Sequence, residues 1–162
     1  RRGPLPVLME ARHEREEAGL VAERIAAALA AGRSPGDVAV LLRTKYLMKP
    51  IEAALAARGI PFQSMNTQAF KRFDWSVPSV KLLTMHSAKG LEFPLVAVAG
   101  LQALPMRDES VEDAVRLLYV AMTRSTRELL LSAHGGSPVV ERVRESLAAV
   151  VSNFAAAEIR SP

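Results

Sequence analysis

Four short runs, "VAVLL" (38–42), "VKLLTM" (80–85), "LVAVAG" (95–100) and "ELLLSA" (128–133), are apolar almost throughout and rich in Val and Leu. A strand with one wet face alternates apolar and polar side chains. Unbroken runs belong instead to strands covered on both faces, the usual state of a parallel sheet. The segments between them carry helical spacing. "EREEAGLVAERIAAALAAG" places Leu20, Val21, Arg24, Ile25, Ala28 and Leu29 at intervals of three and four, with Gly32 as its stop. "KPIEAALAARG" has Pro50 in its first turn and Gly59 at its end. Ser110, followed three residues later by Asp113, predicts an N-cap for "VEDAVRLLYVAMTR", and "SPVVERVRESLAAV" predicts a last long helix. With "PVLME" (6–10) as a first strand and "IPFQS" as a short one, the chain reads as an α/β fold, a mainly parallel sheet with helices on both faces.

At 162 residues this is one domain, 1–162, with 66–79 as a connector that has no clean period and contains the only Trp. No apolar stretch reaches the roughly 20 residues of a membrane span. The N-terminus lacks the apolar core of a signal peptide, so the expectation is a cytoplasmic protein without a membrane partner. The absence of an initiator Met predicts a piece of a longer chain. Without cysteine there is no disulfide framework, thiolate metal site or cysteine nucleophile. A net charge of +4 permits nucleic acid without requiring it.

In parallel sheets, ligands bind beyond the carboxyl ends of the strands. His86, Ser87 and Lys89 follow strand 80–85, and Arg43 and Thr44 follow strand 38–42, so two polar clusters are expected on one sheet edge. The stretch "HSAKGLEF" could bring a backbone N–H and a Lys ammonium to phosphate. Taken alone, it is more simply a polar loop with a solvated Lys. No G-x-x-x-x-G-K-[ST] phosphate loop occurs anywhere in the chain. His86 has no second ligand at metal spacing, so no metal is assigned. In "LLYVAMTRSTREL", Arg116, Tyr119, Thr123 and Arg127 are expected near one helical face, opposite Leu117, Leu118, Ala121 and Met122.

In order, "VAVLLRTKYLMKPIEAALAARGIPF", "VKLLTMHSAKGLEFPLVAVAGL" and "RLLYVAMTRSTRELLLS" resemble the fourth, fifth and sixth motifs of the UvrD/Rep/PcrA-like superfamily I DNA helicases. "TMHSAKGLEFPLV" is the most specific part. The resemblance implies a second RecA-like domain, the C-terminal motor domain of an ATP-dependent DNA helicase with a DNA repair role. It implies that Arg43 and Arg124 reach the γ-phosphate of ATP, with Arg124 as the arginine finger. Glu92 would contact the nucleotide sugar, with Lys89 and Gly90 in the same loop, and Thr84 and His86 would lie along single-stranded DNA. The loop would thus join an ATP cleft to a DNA track. ATP and Mg2+ would be bound mainly by a first RecA-like domain absent from this chain, so the isolated fragment is expected to be inactive.

Leu42 stands where the family often has an aromatic residue, and Lys45 where it often has Asn. Where larger members insert an accessory domain, only the connector 66–79 intervenes. Two other readings remain open. One is a non-catalytic nucleic-acid- or protein-binding module that keeps the fold; the other is a small nucleotide-binding α/β protein, weakened by the missing phosphate loop.

Overall fold

The computed structural model describes residues 3–160. Ten elements follow in order: β1 (Val7–Glu10), α1 (Glu14–Ala30), β2 (Val38–Leu42), α2 (Met48–Ala57), β3 (Phe62–Ser64), β4 (Val80–Thr84), β5 (Phe93–Val98), α3 (Val111–Met122), β6 (Ser125–Ala133) and α4 (Pro138–Arg160). The strands form one sheet in the order β1-β6-β5-β2-β4-β3, and every pairing is parallel. β2, at the centre, is buried at all five positions. The unbroken apolar runs are therefore the strands flanked by helices on both sides.

Alternation along each strand divides the core in two. Val38, Val40 and Leu42 join Leu82 and Ala97 beneath α1 and α2, which contribute Val21, Ile25, Ile51 and Leu55. Leu41, Leu83, Val98 and Leu131 face the other way, under Leu118 and Ala121 of α3 and Val139 and Val143 of α4. The helix boundaries follow local chemistry. The His13 ring nitrogen accepts from the Glu16 N–H at 3.2 Å to open α1, and the Ser110 hydroxyl oxygen accepts from the Asp113 N–H at 3.1 Å to open α3. Past the ends of α1 and α2 the chain turns through Gly32 and Gly59 at φ of 106° and 66°, where a side chain would be strained.

Two expectations need adjusting, and the connector 66–79 proves to be a loop. α3 stops at Met122, so Arg127 lies on β6 and does not share a helical face with Arg116 and Tyr119. The exposed face of the helix does carry Arg116 and Tyr119, and Thr123 is exposed at its C-cap. α4 continues to Arg160, well past its buried Val139, Val140 and Val143, through an Ala-rich tail of good helix formers. Residues 66–79 form turns without a helix, tied to β3 where the Asp74 N–H donates to Gln63 Oε1 at 2.7 Å and Gln63 Nε2 donates to the Asp74 carbonyl at 2.9 Å.

Candidate nucleotide and strand interface

The link from β4 to β5 decides where the polar residues lie. These strands flank β2 on opposite sides, so residues 85–92 must pass over β2 while running from the carboxyl end of one strand to the amino end of the other. Thr84 pairs in register with Leu42, and Leu95 with Val38. Phe93 therefore starts about six residues lower on the sheet, roughly 20 Å along the strand axis. A single turn begins the descent, with the Ala88 N–H donating to the Thr84 carbonyl at 3.2 Å. Ala88 is fully buried and pins the segment to the α3–α4 face. His86, Ser87, Lys89, Gly90 and Glu92 are left exposed along it.

Of the residues expected on one sheet edge, Lys89 has moved off it onto the crossing while the others stay together. At the carboxyl end stand Arg43, Thr44, Thr84, His86 and Ser87, joined where the Met85 N–H donates to the Leu42 carbonyl at 2.8 Å. The Thr84 hydroxyl donates to Ser87 Oγ at 2.8 Å, and the Ser87 N–H donates back to Thr84 Oγ1 at 3.2 Å. Lys89 and Gly90 lie on the crossing. Glu92 has reached the amino end of β5, beside Arg124 at the amino end of β6, and there the Phe93 N–H donates to the Arg124 carbonyl at 2.9 Å.

Arg124 is half-buried at the carboxyl terminus of α3. Its Nε donates to the Val120 carbonyl at 3.2 Å, Nη2 to Thr123 Oγ1 at 3.2 Å and Nη1 to the Leu91 carbonyl at 3.5 Å. A cation at a helix carboxyl terminus also meets the negative end of the macrodipole. Arg43 is held at the far end of the same helix, where its Nη2 pairs with Glu109 at 3.3 Å just ahead of α3. Twelve helical residues separate the two sites, about 18 Å at the usual rise. Arg43 and Arg124 do not converge.

Among residues not anticipated from sequence, Glu17 on α1 is buried at the carboxyl end of the sheet. Its carboxylate accepts from the Gly100 N–H at 2.8 Å and from the Ser132 hydroxyl at 2.5 Å, and meets His134 Nδ1 at 2.6 Å. Gln102 Oε1 accepts from the His134 N–H at 3.0 Å. This network stitches α1 to the ends of β5 and β6. Lys81, only 1% exposed, donates from Nζ to Ser79 Oγ at 2.8 Å and to the Ser79 carbonyl at 2.9 Å. Burial lowers its pKa from the ordinary lysine value, with Asp74 opposing. Among the described residues, no group of three His, Asp or Glu side chains is placed to hold a metal ion, and no helix is long and apolar enough to cross a membrane.

The all-parallel six-stranded sheet with helices on both faces is the architecture of a RecA-like α/β domain. Over 90% of its length the chain matches the crystal structure of the C-terminal domain of a possible DNA helicase from Lactobacillus plantarum WCFS1, with a TM-score of 0.69, 26% identity and 84% of that chain covered. Residues 71–136, from the connector through the crossing segment to the end of β6, match the family model described as the UvrD-like helicase C-terminal domain. The chain is also 41% identical over 61 residues to the ATP-dependent DNA helicase PcrA of Bacillus subtilis (strain 168), and 41% identical over 56 residues to the ATP-dependent DNA helicase Rep of Salmonella typhimurium (strain LT2). These matches cover 33% and 31% of this chain and 8% of each relative. Family model, relatives and structural neighbour agree on a UvrD-like helicase C-terminal domain.

Proposed function

We propose that the chain is the second motor domain of an ATP-dependent DNA helicase or translocase, completed by a first RecA-like domain that carries the phosphate loop and holds Mg2+. The observation that carries this reading is the course of residues 85–92. The segment leaves the carboxyl edge beside Thr84 and His86 and arrives at the amino edge beside Arg124. One continuous polar strip thus touches both ends of the sheet, as a link between a strand-holding surface and a nucleotide-facing surface requires.

In this reading Arg124 supplies the guanidinium that neutralises charge developing in phosphoryl transfer, a contribution worth about 10³ to 10⁵ in rate when an arginine is delivered to a phosphoryl group. Glu92, exposed beside it, meets the nucleotide sugar, and Lys89 and Gly90 line the approach. Thr84 and His86 belong to the strand-holding end. Arg43 reaches a γ-phosphate only by leaving Glu109 and by approaching from the carboxyl edge, a different direction from Arg124.

The deciding experiment compares ATP hydrolysis by the 162-residue chain with that of its full-length parent, each with and without single-stranded DNA. DNA-stimulated turnover is expected in the parent alone. Robust Mg2+-dependent turnover by the chain itself would overturn the half-site reading. A parent without a phosphate loop and without turnover would leave a non-catalytic binding module.

A further inference from the structure

Between the connector 66–79 and the crossing segment lies an open groove of about 790 Å³, walled by Phe70, Phe73 and Trp75 on one side and by Ser87 and Leu91 on the other. The aromatic rings form a continuous row. Phe70 and Phe73 meet edge-on at 4.8 Å between centroids, Phe73 and Trp75 edge-on at 5.6 Å, and Trp75 leans on Phe93 at 6.2 Å. Lys81 Nζ stands 5.4 Å from the centre of the Trp75 ring, a cation–π contact that steadies the indole. Trp75 nevertheless remains 56% exposed. A large ring fixed from behind and open to solvent leaves apolar surface unused.

We infer that this groove is a base-stacking platform for single-stranded nucleic acid, with Trp75 as its main ring. Three features favour that occupant. Exposed Lys71 and Arg72 border the rings and match a phosphate backbone. The acidic wall residue, Asp74, already accepts from the Ser76 N–H and hydroxyl at 3.0 and 2.6 Å. Finally, Ser87 of the groove wall is hydrogen-bonded to Thr84 while Trp75 leans on Phe93 at the amino end of β5, so the groove runs down the crossing segment from the carboxyl-edge surface. Stacking on aromatic rings beside a cationic track is the general way single strands are held without sequence preference. The inference rests on the strand-binding reading above and adds the connector to it.

Trp75 is the only tryptophan, so its emission reports the event directly. The 162-residue chain would be titrated with oligothymidylate of about 12 nucleotides, near one site's length, following labelled-strand anisotropy and Trp75 fluorescence together. Quenching should track binding, and Trp75→Ala should weaken affinity roughly five- to hundredfold while Trp75→Phe keeps most of it, as expected for loss of one stacked base. Arg72→Glu, at an exposed position that leaves the rings intact, should also weaken binding and tests the groove if Trp75→Ala folds poorly. Strand binding with unchanged Trp75 emission and wild-type affinity in both Trp75→Ala and Arg72→Glu would overturn the platform while sparing the strand-binding reading. Absence of any strand binding would overturn both. Equal quenching by ATP alone, or by an apolar peptide in place of the strand, would assign the groove to another occupant and reject the proposal.

Discussion

Arg43 and Glu109 form a half-buried ion pair at 3.3 Å, across the gap between the end of β2 and the start of α3. Arg43 Nε is buried and has no hydrogen-bond partner, so the guanidinium is only partly satisfied. Removing Glu109 would leave a charge with little water and no counter-charge. Glu109→Ala should cost about 1–3 kcal/mol in urea unfolding, between the worth of an exposed pair and the penalty of breaking a buried one. The double variant Arg43→Ala/Glu109→Ala should recover part of that loss. Additive losses would show that the pair is not coupled.

Lys81 supplies a pH prediction. Burial depresses its folded-state pKa, while the unfolded chain keeps the ordinary value near about 10.4. As pH rises between these two values, the folded state gives up its proton first and the unfolded chain binds more protons. Stability contributed by this residue therefore rises with pH through that window. Lys81→Met should flatten the difference in stability between pH 8 and about 10.5 relative to wild type. Identical slopes for the two proteins would show that Lys81 does not titrate differently on folding.

Strand binding by the isolated chain should be weak and should fall as salt rises, because phosphate contacts release counterions. Thr84→Ala removes both hydrogen bonds that tie Ser87 to the end of β4. It should weaken single-strand affinity further without changing the fold, as seen by anisotropy and circular dichroism. Tight binding insensitive to salt, or preference for one duplex sequence, would contradict this.

What could be read from sequence was whatever depends on neighbours along the chain. "VAVLL" is the strand Val38–Leu42 because five consecutive apolar residues suit only a position covered on both faces. Ser110 starts α3 because its oxygen and the Asp113 N–H are three residues apart. Features set by crossing distance were not legible. Thr84 and Glu92 are eight positions apart, which says nothing of whether the chain turns back or runs the length of β2. That choice placed Glu92 with Arg124 at the amino end and carried Lys89 off the carboxyl edge. Glu17 was equally hidden, since in sequence it belongs to the acidic first turn of α1, whereas Ser132 and His134, the partners that justify burying it, lie 115 and 117 residues away. Arg127 was misplaced because "TRSTREL" continues a helical period that the chain abandons at Met122.

Arg124 separates structural from catalytic roles most sharply. It donates to the Val120 and Leu91 carbonyls, so Arg124→Ala should cost about 0.5–1.5 kcal/mol in stability from lost hydrogen bonds. That alone would leave turnover per folded molecule unchanged. If Arg124 serves as the finger in the parent enzyme, its guanidinium must leave these carbonyls when the two motor domains close. Its stabilisation is then realised mainly in the transition state, so Arg124→Ala should lower kcat by orders of magnitude and leave ATP affinity nearly unchanged. Arg124→Lys should restore little activity, because one compact ammonium cannot reproduce a planar fork that spans two phosphate oxygens. DNA-stimulated ATPase rates and nucleotide affinities for both variants, normalised to folded protein, distinguish the two roles. Near-normal kcat in Arg124→Ala would reject the finger and leave Arg124 as the cap that joins α3 to the end of the crossing segment.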